Sequence, residues 1–146
     1  MIFQAILLDM DGVLYHGEKP LPGAIDFVRQ LAEMPHLFLT NNPINTPEAV
    51  AEKLERLGFP VVEADQVLTS AQAAALWLSQ QKPGFRYFAV GGEGLHLALS
   101  NCGESDDERA DFVVVGEGPG LDYECLSRGI HPVSYTHLRA HETATY

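Results

Sequence analysis

A doubly wound, Rossmann-like α/β fold is the class this sequence predicts, and three observations predict it. A short apolar run, Phe3 to Leu8, ends abruptly in Asp9-Met10-Asp11-Gly12. That is the pattern of a buried parallel strand delivering carboxylates at its C-terminal end. A helix-spaced segment and a second short run, His36 to Thr40, follow, and the run ends in the polar turn Asn41-Asn42-Pro43. Strand, helix, strand implies a right-handed parallel crossover. Finally, the alternation restarts beyond the break at Gln81-Lys82-Pro83-Gly84, which places a domain boundary there. Residues 1–81 are therefore expected to begin one α/β unit and residues 82–132 to form part of a second.

The elements between these landmarks have their own signals. Pro22-Gly23 opens a segment with apolar residues at Ile25, Val28, Leu31 and Ala32, and Pro35 stops it. Thr46 reads as a helix N-cap with Pro47 at the first helical position; Val50, Leu54 and Leu57 give one apolar stripe and Gly58 closes the helix. Val67 to Thr69 predicts a further strand. Ser70 then caps an alanine-rich helix to about Gln80, with Ala73, Leu76 and Trp77 expected inward. Phe85 to Val90 and Asp111 to Val115 read as strands separated by a short helix near Leu95 to Leu99.

Composition narrows the function classes. With 146 residues, 46% of them hydrophobic, the chain can bury one core or one domain plus part of another. It shows neither a membrane-spanning apolar stretch nor a signal-peptide pattern, which points to the cytoplasm. Cys102 and Cys125 are too few and too far apart for a disulfide framework or a zinc knuckle. A formal charge of −11 disfavours nucleic acid and anionic membranes as partners. A phosphate ligand must then be recruited locally, by a cation or by oriented backbone amides.

The strand ending in Asp9-Met10-Asp11-Gly12-Val13-Leu14 carries the chemistry. Phosphoryl transfer through an aspartyl phosphate needs a carboxylate nucleophile, a cation to offset charge, and an acid for the leaving oxygen. Alternation along an extended chain points Asp9 and Asp11 to the same side, while Gly12 lets the backbone turn away. At the C-terminal edge of a parallel sheet, that side faces the crevice where open α/β folds bind ligands. If the strand ending in Thr40-Asn41-Asn42 is a neighbour, the Thr40 hydroxyl and the following amides can donate to phosphoryl oxygens.

On these residues the chain resembles the haloacid dehalogenase superfamily, whose first motif is a strand followed by Asp-x-Asp-Gly and whose second is a strand ending in Thr or Ser. Asp-Gly-Val-Leu, Pro22-Gly23-Ala24, Leu39-Thr40-Asn41-Asn42, Thr69-Ser70-Ala71 and Val90-Gly91-Gly92-Glu93-Gly94 narrow the resemblance to the NagD-like, p-nitrophenyl phosphatase-like subfamily, over roughly residues 1 to 130. The resemblance implies a magnesium-dependent phosphomonoester hydrolase acting on a small phosphorylated metabolite. Asp9 would be nucleophile and magnesium ligand. Asp11 would be general acid/base and offer its backbone carbonyl to the metal, and Thr40, Asn41 and Asn42 would form the phosphate site. The first unit would be an incomplete hydrolase core. The second would begin a cap, itself a candidate surface for a homo-oligomer. The family's later lysine and further acidic motif are not visible in this sequence.

Other features have plainer readings. Gly91-Gly92-Glu93-Gly94 and Gly116 to Gly120 are expected to be strand-to-helix turns, because neither the third glycine of a dinucleotide fingerprint nor a P-loop lysine is present. His16 and His36 are expected to be loop and strand-end residues rather than metal ligands, and Trp77 a core or interdomain contact. From Val133 to Thr143 the chain reads VSYTHLRAHET and resembles the translation of a transposon end joined to a sequencing-library adapter, so residues 133–146 are expected to be non-native, and His131, His137 and His141 are not expected to form a metal cluster. Two rival readings are a non-catalytic fragment or phosphate-binding module, and a phosphorelay receiver, which also clusters aspartates with Thr and Lys.

Overall fold

The structure, a computed structural model, describes residues 4–31 and 33–133, the last four by the course of their backbone. Expectations for Phe3, Ala32 and residues 134–146 lie outside the described residues. In chain order the elements are β1 (Ile6–Asp9), β2 (Tyr15–His16), β3 (Lys19–Pro20), α1 (Ala24–Gln30), β4 (His36–Thr40), α2 (Pro47–Arg56), β5 (Val67–Thr69) and α3 (Ser70–Gln81). There follow β6 (Arg86–Val90), α4 (Glu93–Ser100), β7 (Glu104–Ser105), β8 (Phe112–Val115) and α5 (Tyr123–Val133). This is the expected α/β alternation. The β2–β3 hairpin and β7, each strand only two residues long, are too short to show a period in the sequence.

Two parallel three-stranded sheets organise the chain, in the orders β1-β4-β5 and β7-β6-β8. In the first, Asp9 pairs with Leu39 and Thr40 with Thr69, so β1, β4 and β5 all run out at one edge. One face of this sheet is closed. Leu8, Phe38 and Val67 join Met10, Val28, Val50 and Leu54 in a single buried cluster beneath α1 and α2. Thr46 caps α2 as expected, its hydroxyl accepting the Ala49 N–H at 3.3 Å.

The other face differs from the reading of β1 as a buried strand. Leu7 is 65% exposed, and Leu37 and Leu68 are exposed beside it. Strand alternation puts these residues opposite Leu8, Phe38 and Val67, and among the described residues the helices α1 and α2 cover only one side.

The helix α3 corrects a second expectation. Its N-cap is Thr69, one residue earlier than expected: the Thr69 hydroxyl accepts the Gln72 N–H at 3.2 Å while the Gln72 side chain accepts the Thr69 N–H at 2.9 Å. Its inward stripe is Ala71, Ala75 and Leu78; Ala73, Leu76 and Trp77 are exposed. A stripe of alanines with Leu78 lets α3 lie close to α4, where it joins Phe85, Tyr87, Leu95 and Leu99 in a second buried cluster. Leu76 and Trp77 lie on the outer face of the same helix, so among the described residues Trp77 stands half exposed and outside both buried clusters. The buried stripe of α3 thus belongs with the residues beyond the expected break after Gln81.

In the second sheet, β6 is buried on both sides. Tyr87 faces α3 and α4, and Phe88 faces α5, where a side chain at Gly129 would meet its ring at 3.2 Å. Asp111 ties the starts of β6 and β8 together. Its carboxylate accepts the Arg86 backbone N–H at 2.9 Å and the Arg86 guanidinium at 3.2 Å, and pairs with the Lys82 ammonium at 2.8 Å. These bonds, Lys82 first among them, hold the Asp111 carboxyl well below the usual carboxylate range.

Two measurements check this account. Leu8→Ala is expected to cost about 2–5 kcal/mol in urea unfolding whereas Leu7→Ala costs under about 1 kcal/mol, because only Leu8 leaves a cavity. An equal loss at both positions would contradict the one-sided burial. Asp111→Asn is expected to cost about 1–2 kcal/mol at neutral pH. Since the folded-state value of Asp111 is depressed, its contribution is complete above the unfolded value of about 3.9 and is lost as pH falls below it. Stability of Asp111→Asn measured from pH 5 downward should therefore decline less steeply than that of the wild type.

Candidate active site

β1 delivers Asp9 and Asp11 to the C-terminal edge of the first sheet by simple alternation. Met10 between them is fully buried, while both carboxylates lie on the exposed side. The chain then leaves the sheet through a turn in which the Met10 carbonyl accepts the N–H groups of Val13, Leu14 and Tyr15 at 2.9–3.3 Å. Gly12 adopts φ 80 there, a left-handed conformation that a side chain would strain. The turn brings Tyr15 back, so that its hydroxyl reaches the Asp11 carboxylate at 3.5 Å. Burial, followed by the nearby Asp11 carboxylate, pushes the Tyr15 phenol up to about 12, so it stays a donor across neutral pH.

Asp9, Thr40 and Asn41 share a cleft of about 290 Å³ with Leu39, Leu68, Thr69, Ser70 and Ala73. It opens at the ends of β1, β4 and β5, on the side of the sheet that α1 and α2 leave uncovered. A hollow of about 470 Å³ lies at the opposite ends of β1 and β4, around Pro35 and His36. That hollow is larger, but it is at the N-terminal ends of the strands, whereas open α/β sheets bind ligands at the C-terminal ends. Its lining includes one carboxylate, Glu33, and no aspartate pair.

Of the five residues singled out by sequence, Asp9, Thr40 and Asn41 line the cleft. Asp11 stands just beyond it, held toward Tyr15. Asn42 turns away to brace the loop: its side-chain oxygen accepts the Ile44 N–H at 2.8 Å, and its own N–H is taken by the Thr40 hydroxyl oxygen at 3.1 Å. The Thr40 hydroxyl proton remains available, while the Asn42 backbone N–H is occupied.

Thr69 and Ser70 also line the cleft, and sequence reasoning did not place them in the site. The available signal was that β5 is a third strand ending in a hydroxyl residue, which the parallel register carries to the same edge. Gly91 to Gly94 form the expected strand-to-helix turn and do more besides. The Gly94 N–H donates to the Ile44 carbonyl at 2.8 Å, and a Cβ at Gly94 would fall on the Asn45 carbonyl. The backbone of this turn thus lies directly against the loop that leaves the cleft.

The described cleft lining contains no Lys, Arg or His, and no group of three or more His, Cys, Asp or Glu that could hold a metal occurs among the described residues. An ionised Asp9 facing a phosphate would need a cation from elsewhere. Hard oxygen donors of this kind suit magnesium, which is often held by one or two carboxylates together with waters and substrate phosphate.

Comparison with known proteins agrees with this geometry. The family profile described as haloacid dehalogenase-like hydrolase matches residues 6–105. An acid sugar phosphatase of Staphylococcus saprophyticus is 42% identical over 129 residues, covering 86% of this chain and 49% of that protein. NagD from Escherichia coli K-12 superposes with a TM-score of 0.84 at 29% identity, covering 92% of this chain and 54% of that one. A glycerol phosphate phosphatase of Mycobacterium tuberculosis, solved in complex with magnesium, superposes with a TM-score of 0.84 at 30% identity, over 92% of this chain and 42% of that one. The chain spans about half the length of the curated relatives it matches. With the Asp-x-Asp-Gly strand and the Thr40 strand meeting at one sheet edge, and the family profile covering most of the chain, this protein belongs to the haloacid dehalogenase-like hydrolases, as a relative of NagD and the p-nitrophenyl phosphatases.

Proposed function

We propose that the full-length protein represented by this chain is a magnesium-dependent phosphomonoester hydrolase that acts on a small phosphorylated metabolite through an aspartyl phosphate. The observation that carries this reading is the convergence of Asp9, Thr40 and Asn41 on one cleft at the carboxyl edge of the sheet.

Asp9 attacks phosphorus through a carboxylate oxygen. The phosphorus–oxygen bond to the leaving alcohol breaks, and the bonding pair goes to that oxygen, which takes a proton from Asp11. Asp11, now a carboxylate, accepts a proton from water. The water oxygen bonds to phosphorus, the acyl phosphate bond breaks, and Asp9 is regenerated as phosphate leaves. Thr40, whose hydroxyl oxygen already accepts the Asn42 N–H, is free to donate its proton to a phosphoryl oxygen. The Asp9 carboxylate and the Asp11 backbone carbonyl would hold magnesium, which supplies charge neutralisation to the phosphoryl group when bound. The relatives named acid sugar phosphatase and glycerol phosphate phosphatase support a small phosphomonoester as substrate. We place the second α/β unit as part of a cap that closes over the site and selects the leaving group.

The 146-residue chain taken alone favours the second reading, a phosphate-binding fragment with little turnover. Its cleft is open along the exposed leucine face, and no cationic side chain offsets Asp9 in the described lining.

Phosphate release from p-nitrophenyl phosphate with magnesium tests both readings. Asp9→Asn in the full-length protein is expected to lower kcat by at least about 10³-fold with little change in thermal midpoint, by analogy with loss of other covalent nucleophiles. Wild-type rates in that variant would refute the nucleophile assignment. The 146-residue chain is expected to turn over at under about 1% of the full-length rate, an order-of-magnitude loss set by its open, uncompensated site. Comparable rates would refute the fragment reading.

A further inference from the structure

The loop that carries Asn41 is fixed by a small set of hydrogen bonds, and one of them crosses between strands. The Ser70 hydroxyl, at the first turn of α3, donates to the Asn41 carbonyl at 2.7 Å. From the other side, the Thr40 hydroxyl oxygen accepts the Asn42 N–H at 3.1 Å. The peptide joining Asn41 to Asn42 is therefore gripped at both its C=O and its N–H. Because a peptide unit is planar, holding both ends sets the orientation of the whole plane, and with it the backbone angles on either side.

Ser70 is well placed to act as the fixed end of this grip. The preceding residue, Thr69, is 2% exposed and locked by its reciprocal bonds with Gln72. Both Thr69 and Ser70 line the same cleft as Asp9, Thr40 and Asn41. A carbonyl can only accept, so the single hydroxyl proton of Ser70 is committed to Asn41 and is not available to a phosphoryl oxygen. Any influence of that proton on phosphate must pass through the loop.

We infer that Ser70 is a positioning residue for the phosphoryl site: its hydroxyl holds the Asn41–Asn42 peptide so that Thr40 and Asn41 meet the phosphoryl group in a preset geometry. This rests on the phosphatase reading above. Without the Ser70 hydroxyl the Asn41 carbonyl loses its fixed partner, the loop samples other peptide orientations, and part of the binding energy goes into reordering it.

The test compares Ser70→Ala, Ser70→Thr and Ser79→Ala in the full-length protein with magnesium. Ser79 is a control on the same helix, whose hydroxyl bonds the Leu76 carbonyl at 2.7 Å away from the cleft. Three quantities are read: kcat and KM for p-nitrophenyl phosphate, the inhibition constant of inorganic phosphate, and the thermal midpoint. Ser70→Ala is expected to weaken inorganic phosphate about five-fold and to raise KM by a similar factor, the effect of one net hydrogen bond. The kcat should fall by less than about two-fold and the midpoint should stay within about 2 °C, as for an exposed surface change. Ser70→Thr, which keeps a hydroxyl, should recover most of the phosphate affinity, and Ser79→Ala should match wild type.

Unchanged phosphate inhibition and KM in Ser70→Ala would overturn the assignment. So would a loss matched by Ser79→Ala, or one that tracks a falling midpoint and is not recovered by Thr, since those describe general destabilisation. If Asp9→Asn retains full activity, the phosphatase reading fails first. If Asp9→Asn is inactive and Ser70→Ala is indistinguishable from wild type, the Ser70 assignment alone fails.

Discussion

Everything functional in this chain depends on the parallel register of β1, β4 and β5. Pairing Asp9 with Leu39 and Thr40 with Thr69 makes three strands from separate stretches of sequence stop along one line. Parallel strands must each be followed by a crossover, so every chain end at that line turns into a loop or a helix N-terminus. Polar groups collect there because the backbone has left the ladder and the side chains no longer face the core. A one-residue slip of β4 would move Phe38 to the open face and Thr40 off the cleft, which the burial of Phe38 forbids.

The same register explains why the sheet is asymmetric. Leu8, Phe38 and Val67 point one way and are sealed by α1 and α2, whereas Leu7, Leu37 and Leu68 point the other way and stay exposed. Asp9 and Leu39 share that second side, so the cleft and the exposed leucines form one continuous surface. An apolar face of this kind invites cover, and the relatives are about twice as long as this chain. The residues after Gln81 meet those before it at another place, through Gly94 and Ile44 beyond the Asn41–Asn42 loop and through the alanine stripe of α3. A chain with a polar or bulky residue at Gly94 could not bring these two backbones together.

Most of the fold was readable from local pattern. The runs at β1, β4, β6 and β8, the Thr46-Pro47 start of α2 and the turn at Gly91 to Gly94 all fell where apolar spacing, proline and glycine put them. The α3 stripe was misjudged because an alanine-rich helix has nearly the same hydrophobicity on every side. Its direction was settled by close approach to α4, which favours small residues over the larger Leu76 and Trp77. In the candidate site, the meeting of Asp9 and Thr40 at one cleft was legible because each ends a strand in a recognisable motif. The bracing role of Asn42 and the inclusion of Ser70 were not, since they arise from hydrogen bonds whose partners become neighbours only in the folded chain.

The residues alone establish the α/β alternation, the Asp-x-Asp strand and the family to which it belongs, because each is written in contiguous segments governed by local sterics and burial. Which face of the sheet stays open, which way α3 turns, and how Ser70, 29 positions along the chain from Asn41, comes to hold it, follow from assembly. Those are contacts between distant segments, and no local period or propensity encodes them.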